Sequence, residues 1–211
     1  MDGPTLQRKV FLGYGKAATR IGFPCTVYRS SSMLAPIVPA NIFASNLYAS
    51  FTPTLNFQKY NKPHVPDWIG IVDATSLQIG DWLVGPSGTF YLADIQESLP
   101  LPFIQCVYQV SIVRPAYSTS GPTEELEVTI ASSLPVFGFS MKSGVQRPSA
   151  FPSASETKAA IPGRLFYVNT RTIGAVQKDD VVIDEVSNRY IVDAAVFTSF
   201  GIICQTHIEK P

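Results

Sequence analysis

The feature that most restricts what this chain can fold into is a degenerate internal repeat. Ile79 to Pro115 reads IGDWLVGPSGTFYLADIQESLPLPFIQCVYQVSIVRP, and Lys178 to Pro211 answers it with KDDVVIDEVSNRYIVDAAVFTSFGIICQTHIEKP. Placed together, Asp81 falls on Asp180, Leu83 on Val182, Tyr91 on Tyr190, Leu92 on Ile191 and Asp94 on Asp193. Further on, Gln109 falls on Gln205, Ile112 on Ile208 and Pro115 on Pro211. In each copy an acidic turn leads into a short apolar run, a few turn-forming residues follow, and an aromatic and β-branched run returns, which is the signature of a β-hairpin. Gly85-Pro86-Ser87-Gly88 supplies a fixed φ at Pro86 and a residue free to take positive φ at Gly88. A third apolar run closes each copy, Phe103 to Val113 and Gly201 to Ile208. Each copy is therefore expected to form a meander, with further strands needed to complete a core because a lone hairpin is marginal in water.

The expected fold class is mainly β, with two related small β-barrel or meander units, a short N-terminal helix and an extended arm. At 211 residues the chain is long enough for one or two domains, and 17 Pro with 14 Gly favour short strands and turns over long helices. Leu6, Val10, Phe11, Tyr14, Ala17, Ala18 and Ile21 recur at helical steps and predict a helix over residues 5–21. Residues 24–70 are rich in Pro, Ser, Asn and aromatics without clear periodicity, and read as an extended arm with short strands that packs on its own barrel or on a neighbouring subunit. The expected division is an N-terminal helix and arm over 1–70, a first β unit over 71–118, and a second over 119–211. The second carries a long loop near 140–163, after a strand in Glu125 to Phe139 and before another at Leu165 to Val168.

Charge is uneven although the total is zero. Residues 1–70 carry seven Lys or Arg against Asp2 and Asp67, a net of +5, and the remainder carries −5. The first third suits an acidic partner or nucleic acid, and the rest repels DNA phosphates. Hydrophobic content of 45% with 15% charged residues excludes a disordered chain and suggests a surface partly covered by partners. No run reaches the roughly 20 apolar residues of a membrane span and no leader opens the chain, so a soluble protein made in the cytoplasm is expected. Cys25, Cys106 and Cys204 are odd in number and far apart, and read as buried small hydrophobes, with Cys106 and Cys204 at similar points of the two copies.

The search for chemistry returns little. Gly13-Tyr14-Gly15-Lys16-Ala17 lacks the first Gly and the Ser or Thr of a phosphate loop. His64 and His207 stand in no metal-ligand spacing. Asp81, Asp94, Asp180 and Asp193 sit at matched turns, where Asp side chains satisfy backbone amides. No catalytic, cofactor-binding or metal residues are assigned, and an enzyme is not expected.

The segment GDWLVGPSGTFYLADIQESLPLPFIQCVYQVSIVRP resembles one found in structural proteins of tailed bacteriophages and prophages, with GD, LVGP, GT-aromatic and a C…VS…RP ending in order. Upstream, FLGYGKAATRIGFPCTVYRSSS is similar to the start of the same proteins, and downstream IPGR and DDVVIDEVSNRYIVDAA are similar to their later segments. Asp179 stands where that pattern has Gly and Arg164 where it has Asp. The resemblance implies a virion protein of the neck or head-to-tail connector (collar) type. Such a protein is a homo-oligomeric ring working with portal or tail proteins, with double-stranded DNA passing through the lumen unbound. A baseplate or tail-fibre attachment adaptor is the first alternative, and a small-ligand or carbohydrate-binding β protein the second. Large apolar groups in segments unable to form a core alone mark the expected interface: Phe11, Tyr14, Tyr28, Phe51, Phe57 and Trp68.

Overall fold

The structure, a computed structural model, describes residues 3–53, 67–96, 99–116, 126–141, 163–169, 176–199 and 201–209. One helix, α1 (Gly3–Ile21), is followed by two closed six-stranded barrels. The first contains β1 (Phe23–Tyr28), β2 (Ile42–Pro53), β3 (Asp67–Val72), β4 (Trp82–Gly85), β5 (Gly88–Leu92) and β6 (Leu101–Cys106). The second contains β7 (Tyr108–Ala116), β8 (Leu126–Met141), β9 (Gly163–Val168), β10 (Val181–Ile183), β11 (Arg189–Thr198) and β12 (Gly201–Ile208). The mainly β class and the two related barrels are as expected. The division of the chain is not.

β1, β2 and β3 belong to a closed barrel rather than to an extended arm, and the first barrel runs from Phe23 to Cys106. The second begins at Tyr108, so the third apolar run of the first repeat is two strands belonging to different barrels, β6 and β7, separated by Val107 alone. Two of the prolines that make residues 24–70 look irregular sit where a strand tolerates them. Pro24 lies on β1 next to its start, and Pro53 ends β2. The loop expected near 140–163 lies outside the described residues except at its two ends, where β8 finishes and β9 begins.

Both barrels have one topology. In the first, the strand order around the barrel is β1-β2-β3-β6-β5-β4, and in the second β7-β8-β9-β12-β11-β10, with every neighbouring pair antiparallel. Three consecutive strands form a meander, the fourth returns beside the first as in a Greek key, and the sixth pairs with the third to close the sheet. The correspondence extends to irregularities. The β1–β2 ladder shifts register between Cys25 and Val27 and again before Tyr28; the β7–β8 ladder does so between Val110 and Ile112 and again before Val113. Each bulge holds a non-glycine residue at positive φ, Asn46 at 60° and Ser133 at 46°. The repeat thus covers the whole of each barrel.

Register also corrects the alignment of the repeats. Leu92 N–H donates to Asp81 O while Val192 N–H donates to Asp180 O, so Leu92 corresponds to Val192 and Phe90 to Tyr190. The turn of the second hairpin is one residue longer, which displaced Tyr91 onto Tyr190 in the sequence comparison. Asp94 and Asp193 are therefore not equivalent, nor are Cys106 and Cys204, since β6 and β12 match with Ile104 opposite Tyr91 and His207 opposite Ile191.

Inward alternation fills each barrel. Val27, Leu83, Phe90, Leu92, Leu101 and Phe103 are buried in the first; Ile112, Leu134, Phe166, Val182, Val192 and Ile202 are buried in the second. One pairing is inverted between the copies. Phe51 faces Gly70 across β2–β3, whereas Gly138 faces Phe166 across β8–β9, so the large ring has changed strands; Gly138 leaves room for Phe166, and Gly70 for Phe103. A Cβ at Gly70 would fall 2.3 Å from the Phe103 ring. Gly70→Ala is accordingly expected to lower stability by about 1–3 kcal/mol through overpacking, read as the shift in urea midpoint at constant slope. An unchanged midpoint would show that the Phe103 ring moves aside without loss.

Candidate interaction surface

Each barrel is fastened at its fourth strand by a carboxylate that water cannot reach. Asp81, fully buried, receives Arg29 Nε on Oδ1 at 2.9 Å, and Arg29 Nη2 and the Gln78 N–H on Oδ2 at 2.6 and 2.8 Å. Asp180 repeats this with Arg114 Nε at 2.7 Å, Arg114 Nη2 at 2.9 Å and the Gln177 N–H at 2.7 Å. The turn-amide role expected for these two aspartates is present, together with a planar two-pronged guanidinium contact that spacing alone did not reveal. Arg29 is anchored further by Ser76 O at 2.7 Å and by the Phe43 ring, whose centroid lies 3.7 Å from the guanidinium carbon. Arg29→Met would strand the Asp81 charge in the interior. A loss of about 3 kcal/mol is expected, and a double variant with Asp81→Asn should recover part of it, both read from denaturant unfolding.

The two barrels share a core. Trp82, Tyr91, Ala93 and Ile104 lie on the outside of the first barrel and are buried in the same cluster as the interior of the second. Asn169 Nδ2 donates to Gly80 O at 2.8 Å, and the β1–β2 connection reaches across as a strap. Within that strap Met33 is buried, and Ala35 N–H donates to Ser132 O while Ser132 N–H donates to Met33 O, at 2.8 and 3.3 Å. The Tyr91 hydroxyl is surrounded by Cys106, Cys204, Tyr167 and Asp67, and burial raises its pKa well above the ordinary value. Burial likewise raises the Cys106 thiol and pushes Cys204 up to about 12, as befits cysteines packed as small hydrophobes.

Four of the six expected interface residues are engaged inside the first barrel. Phe11 is buried in the cluster containing Val72, Ala74 and Leu77, and Tyr14 packs against it. Phe51 stacks on Phe90 with centroids 3.9 Å apart, and Trp68 meets Phe90 edge-on at 5.5 Å. Tyr28 packs against the shared core, and Phe57 lies outside the described residues. The exposed large apolar groups are different ones. Ile21 at the end of α1, Phe23 at the start of β1 and Ile42, Phe43 and Tyr48 on β2 are exposed, and Val186, Val196 and Phe197 stand at hairpin tips of the second barrel. The first set was legible in principle. Once β2 is recognised as a strand with Ala49 and Phe51 inside, Tyr48 must face out.

The N-terminal part of the chain is also basic. No acidic residue occurs between Gly3 and Pro66, and Arg8, Lys16 and Arg20 are exposed on α1, with Lys16, Ala17, Arg20 and Ile21 lining a shallow hollow. Among the described residues no group of three His, Cys, Asp or Glu side chains is placed to hold a metal ion. His207 Nδ1 and Asp193 Oδ1 approach to 2.9 Å on the outside of β11 and β12. Compared with known proteins, the chain matches no family model, no curated sequence and no solved structure.

Asp184, in the β10–β11 turn, gives the second barrel its own pH dependence. Partial burial raises its pKa, but the Asn188 amide, the backbone N–H groups of Asn188 and Val186, and the Arg164 charge together hold it below 3.8. A depressed carboxylate contributes stability that is present above about pH 4 and is lost as pH falls through the folded value. Unfolding midpoints should therefore fall on acidification below pH 4, and Asp184→Asn should flatten that part of the profile while lowering stability at neutral pH.

Proposed function

We propose that this chain is a structural subunit of a tailed-phage virion, a neck or head-to-tail connector protein that joins capsid portal and tail as a homo-oligomeric ring. The observation that carries the reading is the order of short motifs from FLGYGKAATRIG to the second hairpin, which spans both barrels. The fold suits the role. Two barrels joined through one residue and a shared core hold a fixed distance between the surfaces they present, and the cationic helix with the exposed apolar groups of β2 offers one of those surfaces.

Function on this reading is assembly rather than turnover. The helix side meets an acidic neighbour, and the more acidic C-terminal part lets DNA slide past because phosphate affinity depends on neutralising Lys and Arg contacts. Mixing the purified chain with portal rings and measuring mass by light scattering tests it. The expected result is a portal complex carrying a whole ring of the chain. Association with baseplate or tail proteins and not with portal would move the protein elsewhere on the virion axis, and a monomer that ignores both would overturn the reading.

A further inference from the structure

The two barrels carry the same bulge, and in the second barrel it holds the strap. By register Ser45 and Asn46 of β2 correspond to Ser132 and Ser133 of β8, and Asn46 and Ser133 both take positive φ. On β8 the strap is bonded at this point. Ala35 N–H donates to Ser132 O and Ser132 N–H donates to Met33 O, at 2.8 and 3.3 Å, so Leu34 runs parallel to the strand through a single bridge. Around it Ser132 is half-buried, and Pro135 and Phe137 are buried. On β2 the counterparts are bare. Ser45 and Asn46 are exposed, Tyr48 is exposed where Pro135 is covered, and among the described residues no segment bridges Ser45 as the strap bridges Ser132.

By this equivalence the Ser45 N–H and C=O are placed for the same two bonds. A donor and an acceptor on one residue fit a polypeptide main chain, which supplies both, and not a phosphate backbone, which supplies acceptors alone. The surroundings select by charge. No acidic residue occurs between Gly3 and Pro66, and α1, which packs on β2, exposes Lys16 and Arg20. An acidic segment is attracted there and a basic one repelled. The exposed rings of Phe43 and Tyr48 stand two residues before and three after Ser45, where an apolar side chain can pack. We propose that the β2 bulge is a second strap site, and that its occupant is an extended acidic segment of another protein, bonded to Ser45 through its main chain and carrying an apolar side chain as the strap carries Met33.

The site follows from the duplication rather than from the virion reading and is tested without portal, so the two can fail separately. The probe is a fluorescent peptide copied from residues 31–37, the part of the strap that fits the β8 bulge, with two Glu added at each end. Anisotropy with the full chain at about 50 mM salt should show saturable binding, weakened roughly tenfold or more at about 500 mM or when Lys replaces the added Glu. N-methylation at the residue copied from Ala35 removes the N–H that donates to Ser45 O and should weaken binding similarly, with the protein itself unaltered. Tyr48→Glu, at an exposed position, should do the same with an unchanged far-UV spectrum. Absence of saturable binding would overturn the proposal. So would a peptide that binds Tyr48→Glu as it binds wild type, since it has then displaced the strap from Ser132. Equal binding of the Lys-flanked peptide would overturn the acidic partner. Sedimentation showing self-association that Tyr48→Glu abolishes would overturn the assignment to another protein in favour of a second copy.

Discussion

Each barrel depends on one buried carboxylate gripped by an arginine from the far end of its first strand. The Greek-key crossing brings the fourth strand back beside the first after a long connection, and nothing in a hairpin turn enforces that return. Asp81 and Asp180 do so by holding Arg29 or Arg114 with one edge and the amide of the preceding turn with the same oxygen. Because both prongs of the guanidinium are used, the contact sets direction as well as distance. A charge placed at 0 or 1% exposure also carries a penalty that only this geometry offsets, so misregistered closure of either barrel is disfavoured by the same group that secures the correct one.

The shared core then turns two closed units into one body. Small barrels of this length have limited interiors, and much of the apolar surface on β4, β5 and β6 faces outward. Trp82, Tyr91 and Ile104 resolve that excess by packing on the second barrel. The strap adds two main-chain bonds at a bulge whose left-handed residue is retained in both copies. Irregularity is therefore functional in the architecture: the bulge that interrupts a ladder is the place where a foreign segment can be accepted.

Much of this was written in the sequence, though not at every scale. The hairpins were legible because turn chemistry and alternation are local, and their duplication announced two related units. The first three strands of the first barrel were not, because Pro24, Pro53 and a bulge broke the period-two pattern and closure depends on partners far away in the chain. A single inserted residue between Ile183 and Arg189 was enough to shift the apparent alignment of Tyr91 and misassign Cys106. The same limit applies to the large apolar groups: Phe11, Phe51 and Trp68 pack in the core of a barrel whose closure no local pattern shows, and the exposure of Phe43 and Tyr48 follows only once the strands are in place.

Val107 is the whole covalent link between the last strand of one barrel and the first of the next, and its N–H is bonded to Val136 O. A joint of one residue has no slack to pay out and no hinge to bend. A push on the helix end of the molecule arrives at the last hairpin as displacement rather than being absorbed between them. Twist imposed on one barrel must be carried by the other through Trp82 and Tyr91. The chain behaves as a strut, transmitting load and torsion along its length.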